Sequence, residues 1–337
     1  MQVLASPRIV SRIYTGDGPG RSGNFSRRGF SAIRVRLFTQ VAIGRDVGPS
    51  LGVARRSDRI PENADGDFFV DRSCIDCDLC RQIAPEVFGR SHLRAQSYVT
   101  AQPHDARTQH RALMALITCP TSSIGMTRKL DAKAAAQALP EHVVDDVYFC
   151  GWASEDSYGA ASWLIVRPDG NVLVDSPRAA STLMSRIEAL GGVRYMFLTH
   201  RDDVADHAAY HERFGCERII HRADALAVPE AEHVIAGPDP VRLADDLLIV
   251  PVPGHSRGSC VLLHGELCFS GDHVWANDEQ TGLEAGPDVC WYSWPEQKRS
   301  MARLADHRFT WVLPGHGRRW HAPSPEAMRA ELMRLSR

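Results

Sequence analysis

The sequence predicts an α+β chain of two modules, a small one bearing cysteines followed by a larger one of short strands and helices. Three observations carry this. The chain is 337 residues long, beyond the ~100–200 residues over which a single core usually extends. Residues 61–127 hold three closely spaced cysteines and a fourth before a proline. Residues 144–337 hold four apolar strand-like runs that each end at a histidine or aspartate.

Composition narrows the class. The hydrophobic fraction of 44% and charged fraction of 24% are ordinary for a globular protein, and no stretch reaches the ~18 uninterrupted apolar residues of a membrane span. A net charge of -2 gives no bulk reason to favour nucleic acid or an anionic surface, so neither nucleic acid nor membrane is expected as a partner. Nine cysteines is an odd number, and the compact pattern of four of them suits thiolate ligation in a reducing compartment better than a disulfide framework. A cytoplasmic location follows. Cys150, Cys216, Cys260, Cys268 and Cys290, scattered among apolar neighbours, read as buried small hydrophobes.

Residues 1–60 read as a basic, unstructured leader. They carry eleven Arg, no Lys, no Glu, and only Asp17, Asp46 and Asp58. That bias is shared by organelle transit segments, in which case the location becomes a plastid stroma or another organelle matrix. A plain unstructured extension accounts for it equally well. Residues 33–43 have the composition of a strand or short helix, and no secretory signal core is present.

The cysteine module spans residues 61–127. Cys74, Cys77 and Cys80 stand at C-x-x-C-x-x-C spacing, and Cys119-Pro120 supplies a fourth thiol. Three cysteines so spaced wrap one face of an iron–sulfur cube, and a distant Cys before Pro closes the last corner. Two-cluster ferredoxins continue the close run to a further Cys-Pro. Here that place is Ala84-Pro85, so a single [4Fe–4S] cluster is expected. Zinc is the competing ligand, but zinc sites prefer two separated C-x-x-C knuckles. Residues 84–88 and 113–117 resemble the apolar cover of single-cluster bacterial ferredoxins, a resemblance running over about residues 66–126. Residues 128–143, rich in Ala and ending near Pro140, read as a short helical or loose linker.

In residues 144–337 the runs 163–166 and 171–174 flank Pro168-Asp169-Gly170 and read as a hairpin. Residues 181–190 show helical spacing and stop at Gly191-Gly192. Then a rhythm repeats: 195–198 ends in Thr199-His200, 247–252 in Pro253-Gly254-His255, 267–269 in Ser270-Gly271-Asp272, and 309–313 in Pro314-Gly315-His316. One histidine after a strand is unremarkable; four strand-end residues of ligand type argue for a shared site, with Gly254 and Gly315 expected to turn the backbone sharply. Of the other histidines, His221, His233, His264, His273 and His307 are read as structural or exposed. Trp275, Trp291 and Trp294 are assigned to core packing or a domain contact ahead of a substrate lip. Ser324-Pro325-Glu326 opens a final helix.

These motifs resemble the metallo-β-lactamase superfamily over about residues 145–320, which implies a four-layer αββα sandwich behind the small ferredoxin-like domain. By that resemblance, His200, His255 and Asp272 hold one divalent metal, and Asp272 bridges to a second held by Asp206, His207 and His316. The family's first motif, T-H-x-H-x-D-H, is altered: Thr199-His200-Arg201-Asp202-Asp203-Val204-Ala205-Asp206-His207 is two residues longer, with Asp202 where a second His belongs. Asp202 and Asp203 are equal candidates as an oxygen ligand. The whole arrangement, including 157–160 and 173–178, resembles a family of ferredoxin–metallo-β-lactamase fusions. That match supports the architecture and the altered first motif and brings no substrate with it. The first expectation for activity is a hydrolase in which one or two zinc or iron ions activate water against an ester, thioester or related small molecule, with Asp206 orienting or deprotonating the nucleophile. The competing expectation is an iron-dependent oxidoreductase fed by the cluster, with a redox partner protein as electron source.

Overall fold

The computed structural model describes residues 53–91 and 93–337, which belong to one compact unit. Most of the predicted leader lies outside the described residues. Its last part does not stay loose: Arg56–Asp58 form a 3-10 turn, Arg55 donates its backbone N–H to the Asp71 carboxylate, and Ile60 is fully buried.

The cysteine module runs β1 (Phe68–Val70), α1 (Leu79–Ile83), β2 (Phe88–Ser91), β3 (Gln96–Val99), α2 (Ala106–Thr118) and β4 (Ile124–Met126). β1 pairs antiparallel with β4, and β2 with β3. Asp105 caps α2 by accepting from Thr108 N–H, and the Thr108 hydroxyl completes a capping box. Ala112, Leu113, Ala115 and Ile117 bury the inner face of α2.

After α3 (Lys133–Gln137) comes the first sheet: β5 (Glu141–Val144), β6 (Val147–Phe149), β7 (Trp163–Ile165), β8 (Val172–Val174), α4 (Ser181–Ala189), β9 (Tyr195–Phe197), α5 (His207–Phe214), β10 (Glu217–His221) and β11 (His233–Ile235). Its order is β11-β10-β9-β8-β7-β6-β5. The predicted linker therefore ends inside the structure, with residues 141–143 in the edge strand β5. The second sheet, ordered β12-β13-β14-β15-β18-β19, is built from β12 (Val241–Ala244), β13 (Leu247–Pro251), β14 (Cys260–His264), β15 (Leu267–Gly271), β18 (Trp311–Pro314) and β19 (Trp320–His321). Between β15 and β18 lie a small hairpin, β16 (Trp275–Ala276) with β17 (Leu283–Glu284), and helix α6 (Trp294–Leu304); α7 (Pro325–Leu335) ends the chain. The expected hairpin is β7–β8, and Ser324 caps α7 by accepting from Ala327 N–H.

Strand periodicity sorts the side chains into layers. Trp163, Ile165, Val172, Val174 and Phe197 meet Leu247, Ile249, Leu262, Phe269 and Leu313 between the sheets. Alternate residues Leu164, Leu173 and Met196 face Leu183 and Ile187 of α4 and Tyr210 of α5. On the far side, Val250, Val261 and Val312 pack on Met301 and Leu304 of α6 and Met328 and Leu332 of α7. Three apolar interfaces make four layers, αββα, as expected. Because strands such as β7 and β8 are covered on both faces, they read as unbroken apolar runs.

The layer between the sheets is continuous with the core of the cysteine module, through Leu79, Ile83, Phe149 and Trp163. Arg178 Nη2 donates to Ile117 O at 2.9 Å, and Arg111 pairs with Glu141 across the same boundary. No helix among the described residues is long and apolar enough to cross a membrane.

Candidate functional site

The four cysteine sulfurs face one small cavity closed by Val70, Ile75, Leu79 and Ile124. The local sequence explains how they converge. Asp76 and Asp78, on either side of Cys77, both sit in the left-handed region at φ 62° and 67°, which Asp tolerates better than most residues. Arg81 locks these turns by pairing with both carboxylates, and Arg90 adds a second cation to Asp76. The backbone N–H of Ser97 donates to Cys74 Sγ at 3.4 Å, and that of Ser123 to Cys119 Sγ at 3.3 Å. Burial raises the Cys74 thiol, pushes Cys77 up to about 12 and holds Cys80 well above the usual thiol range. Four converging sulfurs, two of them with backbone N–H donors aimed at them, fit a group that supplies positive charge and deprotonates thiols outright.

The strand-end residues of the sandwich meet at one edge of the two sheets. His200 follows β9, His255 follows β13, Asp272 follows β15 and His316 follows β18. His200 Nε2, His255 Nε2 and an Asp272 oxygen lie within 4.8 Å of one another, and so do ligand atoms of Asp203, Asp272 and His316. Asp202 Oδ2 joins the first group, 3.7 Å from His200 Nε2 and 3.5 Å from His255 Nε2. Asp272 Oδ2 is 3.7 Å from each of those nitrogens and 3.9 Å from His316 Nε2, on the side where Asp203 Oδ1 stands 3.9 Å from the same nitrogen. Asp272 thus stands between two donor sets.

Two features suit these sets to cations. Donors about 2.0–2.2 Å from a tetrahedral zinc stand about 3.3–3.6 Å apart, close to the spacings here and too long for hydrogen bonds. Moreover, His200 Nε2, His255 Nε2, Asp202 Oδ2, both Asp203 oxygens and Asp272 Oδ1 are buried without a hydrogen-bond partner, a costly arrangement that a bound ion relieves.

The shell behind the donors fixes their direction. Thr199 donates its hydroxyl to the Asp175 carboxylate at 3.0 Å and lies 3.0 Å from His200 Nδ1. His255 Nδ1 donates to Val289 O at 2.7 Å. Both imidazoles therefore carry the proton on Nδ1 and turn the Nε2 lone pair inward, as metal-binding histidines do. Burial keeps His200 below the usual histidine range. Burial also opposes protonation of His255, but the nearby carboxylates of Asp202 and Asp272 outweigh this and raise it. Burial, then repulsion from Asp272, Asp175 and Asp202, drives the Asp203 carboxyl well above the carboxylate range. Asp272 is depressed: burial pushes it up, but His316, His200 and His255 pull it down further.

Two expected ligands are not brought to this place. Asp206 accepts a hydrogen bond from Ala179 N–H at 2.6 Å, and His207 opens α5 with Nδ1 3.2 Å from the Arg218 guanidinium. The longer first motif is the reason: the extra residues carry Asp206 and His207 onto the helix, while the bend at 201–203 turns Asp203 inward. Asp203 takes the place expected of Asp206. The glycines also act differently. Gly254 and Gly315 are absent from the positive-φ set. Gly315 is needed for close approach, since a Cβ there would stand 2.8 Å from Asp203 Oδ2 and 2.9 Å from Asp272 Oδ1.

Above the donors lies a cleft of about 640 Å3 whose walls include Tyr158, Arg201, Trp275, Val289 and Trp291. Trp275 and Trp291 thus line the cleft, against the expectation that the tryptophans serve packing, while Trp294 is partly buried against the outer core. His273, beside Asp272, is buried and is not among the residues lining the cleft. Cys150, Cys216, Cys260 and Cys268 are buried, but Cys290 is half-exposed with its thiol on Gly254 O. Sequence reasoning passed over Asp175, although it too follows an apolar strand, β8.

Comparison with known proteins adds to this geometry. Residues 70–126 match the family described as the 4Fe-4S single cluster domain of Ferredoxin I. The chain is similar to hydroxyacylglutathione hydrolase of Rhizobium etli, 28% identical over 138 residues that make up 39% of this chain and 52% of that protein. It is similar to the same-named protein of Xanthomonas oryzae pv. oryzae, 28% identical over 127 residues, 37% of this chain and 49% of that one. The chain spans about half the length of these relatives. Among solved structures, ETHE1 from Myxococcus xanthus is 20% identical with a TM-score of 0.41, over 56% of this chain and 84% of that one. The chain thus joins a segment matching the single-cluster ferredoxin family at residues 70–126 to a four-layer αββα domain, and is similar in part to proteins named hydroxyacylglutathione hydrolase.

Proposed function

We propose that the chain is a metal-dependent hydrolase of an ester, thioester or related small molecule, with the ferredoxin segment as an attached electron-transfer module. The observation that carries this is the convergence of unpartnered nitrogen and oxygen donors on the floor of one cleft. His200, Asp202, His255 and Asp272 would hold one zinc or iron ion, and Asp203, Asp272 and His316 a second. Divalent cations held by these residues would supply Lewis acidity, lowering the pKa of water to about 7 and polarising a carbonyl or phosphoryl oxygen.

The chain's own residues do the rest. Asp203, fully buried with both carboxylate oxygens unpartnered, is free to serve as an oxygen ligand on the His316 side. Thr199 and Val289 keep the two imidazoles aimed. Tyr158, Trp275 and Trp291 present apolar surface for the acyl part of a substrate and exclude water from it. The likeness to proteins named hydroxyacylglutathione hydrolase supports hydrolysis over other uses of this fold.

A second reading is an oxidoreductase in which the cluster passes electrons to iron in the cleft. One observation favours it. Gly159 packs so closely on Cys77 that a Cβ would stand 2.7 Å from Cys77 Cβ, and its neighbour Tyr158 lines the cleft.

Elemental analysis of anaerobically purified chain separates the two. Zinc beyond the cluster's iron, with turnover on a panel of esters and thioesters, supports the hydrolase. Extra iron, with oxygen consumed under reduction and no hydrolysis, overturns it. His255→Ala should lower both metal content and turnover together.

A further inference from the structure

We propose that Asp78 and Gln82, which lie within the cluster-binding loop and α1, are positioning residues for His316, so that the cysteine module completes the second cation position. The inference rests on the hydrolase reading only in taking Asp203, Asp272 and His316 as a cation-holding set.

His316 differs from its partners. Thr199 orients the His200 ring and Val289 orients the His255 ring. No side-chain hydrogen bond among the described residues orients the His316 ring, and its side chain is 29% exposed. The direction of its Nε2 is therefore set by the backbone of residues 315–318. Within the sandwich, Gly315 N–H donates to Gly271 O at 2.9 Å, Ala161 N–H donates to Gly315 O at 2.7 Å, and Ala276 N–H donates to Arg318 O at 2.8 Å.

The remaining supports come from the other module. Gln82 Nε2 donates to Gly317 O at 3.0 Å, and Arg318 Nε donates to Asp78 Oδ2 at 3.1 Å. Gly317 sits at φ +82° with the Trp275 ring against it, where a Cβ would fall 2.6 Å from Trp275 Cγ. A residue in that conformation has few backbone alternatives of its own, and its carbonyl is held by the Gln82 amide.

The two supporting residues are tied to the cluster by chain position. Asp78 lies between Cys77 and Cys80, and Gln82 is two residues beyond Cys80 on α1. Asp78 uses its other oxygen to pair with Arg81, which also holds Asp76. Ligation of Cys77 and Cys80 fixes the stretch that carries Asp78 and Gln82, and that stretch fixes Gly317 and Arg318. On the opposite side, Ala161 and Gly159 belong to one loop, with Gly159 against Cys77. The His316 turn is thus held between two segments that both touch the cluster loop. Arg178 to Ile117 O and Arg111 to Glu141 join the modules elsewhere along the boundary; the Gln82 and Asp78 contacts fall on the two residues that follow one ligand.

The test is a calorimetric zinc titration of the full chain, isolated anaerobically with its cluster retained and its cleft depleted of cations by dialysis. Wild type is expected to bind two zinc ions. Gln82→Leu should bind the first as wild type does and the second at least about tenfold more weakly, with the visible absorption of the cluster unchanged. Gln82→Lys, which keeps a donor, should recover most of the loss. If Gln82→Leu binds both ions as wild type does, the positioning role is overturned while the hydrolase reading stands. If wild type binds no zinc beyond its cluster iron, both fall. Should Gln82→Leu not fold, Arg318→Gln removes the Asp78 contact at a side chain 24% exposed. It should weaken the second ion in the same way, and unchanged second-ion affinity in it overturns the proposal.

Discussion

Asp202 and Asp203 are adjacent in the chain yet serve opposite sides of Asp272: Asp202 Oδ2 lies 3.5 Å from His255 Nε2, whereas Asp203 Oδ1 lies 3.9 Å from His316 Nε2. The pair gives the site two carboxylates from one bend. Asp203→Asn should therefore lower the divalent metal content by about one equivalent and turnover by about 100-fold or more, since losing a ligand costs more than the ~10–100-fold of losing a hydrogen-bond partner behind one. Asp206→Asn keeps an acceptor for Ala179 N–H and should leave metal content unchanged. Equal metal loss in both variants would count against the assignment of Asp203.

How far the sequence leads is visible at this bend. The cysteine spacing and the strand-end rhythm announce both sites, because thiolate geometry and sheet topology leave a periodic trace in the chain. His200, His255, Asp272 and His316 are all found that way. The choice among Asp202, Asp203 and Asp206 is not, since it depends on where two extra residues are absorbed. A longer loop and a longer helix start are both compatible with the pattern, and packing of the bend against Gly315 decides. The tryptophans escape for a similar reason: an apolar side chain in an insertion gives no sign of whether it faces core or solvent.

Gly159 stands at φ +83°, and a Cβ there would fall 3.2 Å from Cys77 Sγ as well as against Cys77 Cβ. Gly159→Ala should cost about 1–3 kcal/mol from backbone strain and overpacking together. More specifically, it should change the cluster's electron paramagnetic resonance signal in dithionite-reduced protein. Gly170→Ala, at φ +107° but against Arg194 far from the cysteines, should destabilise comparably and leave that signal as in wild type.

The Arg218–Glu232 pair that draws Arg218 against His207 predicts a pH dependence of stability. Hydrogen bonds from Arg218 hold the Glu232 carboxyl down to about 2 in the folded chain, against about 4.3 in an unfolded one. A depressed carboxylate contributes stability that is present above the unfolded value and lost as pH falls through the folded one. Glu232→Gln should therefore destabilise at pH 7, by no more than about 1 kcal/mol, since the Glu232 side chain is 29% exposed and solvent screens it. The difference from wild type should shrink between about pH 4.5 and 3 in chemical denaturation. A gap that widens on acidification would reverse the sign and remove Glu232 as its source.

Tyr158 is held at φ +50°, a conformation that a bulky side chain rarely adopts, and yet its ring is 68% exposed at the cleft wall. Nothing in the core is gained by that strain, which amounts to about 1–3 kcal/mol for a residue of this kind. Trp291 and Val289 are also exposed and line the same cleft, so that Tyr158 completes an apolar rim above the donor sets. Tyr158→Gly relieves the backbone and deletes the ring in one change. It should raise Tm by a few degrees, while raising KM for an apolar ester or thioester at least fivefold and leaving metal content untouched. Trp291→Ala should raise KM in the same direction with no gain in Tm, because Trp291 is not in the left-handed region. If Tyr158→Gly lowers Tm and leaves KM unchanged, the ring serves packing, and the cleft's apolar rim must be assigned elsewhere.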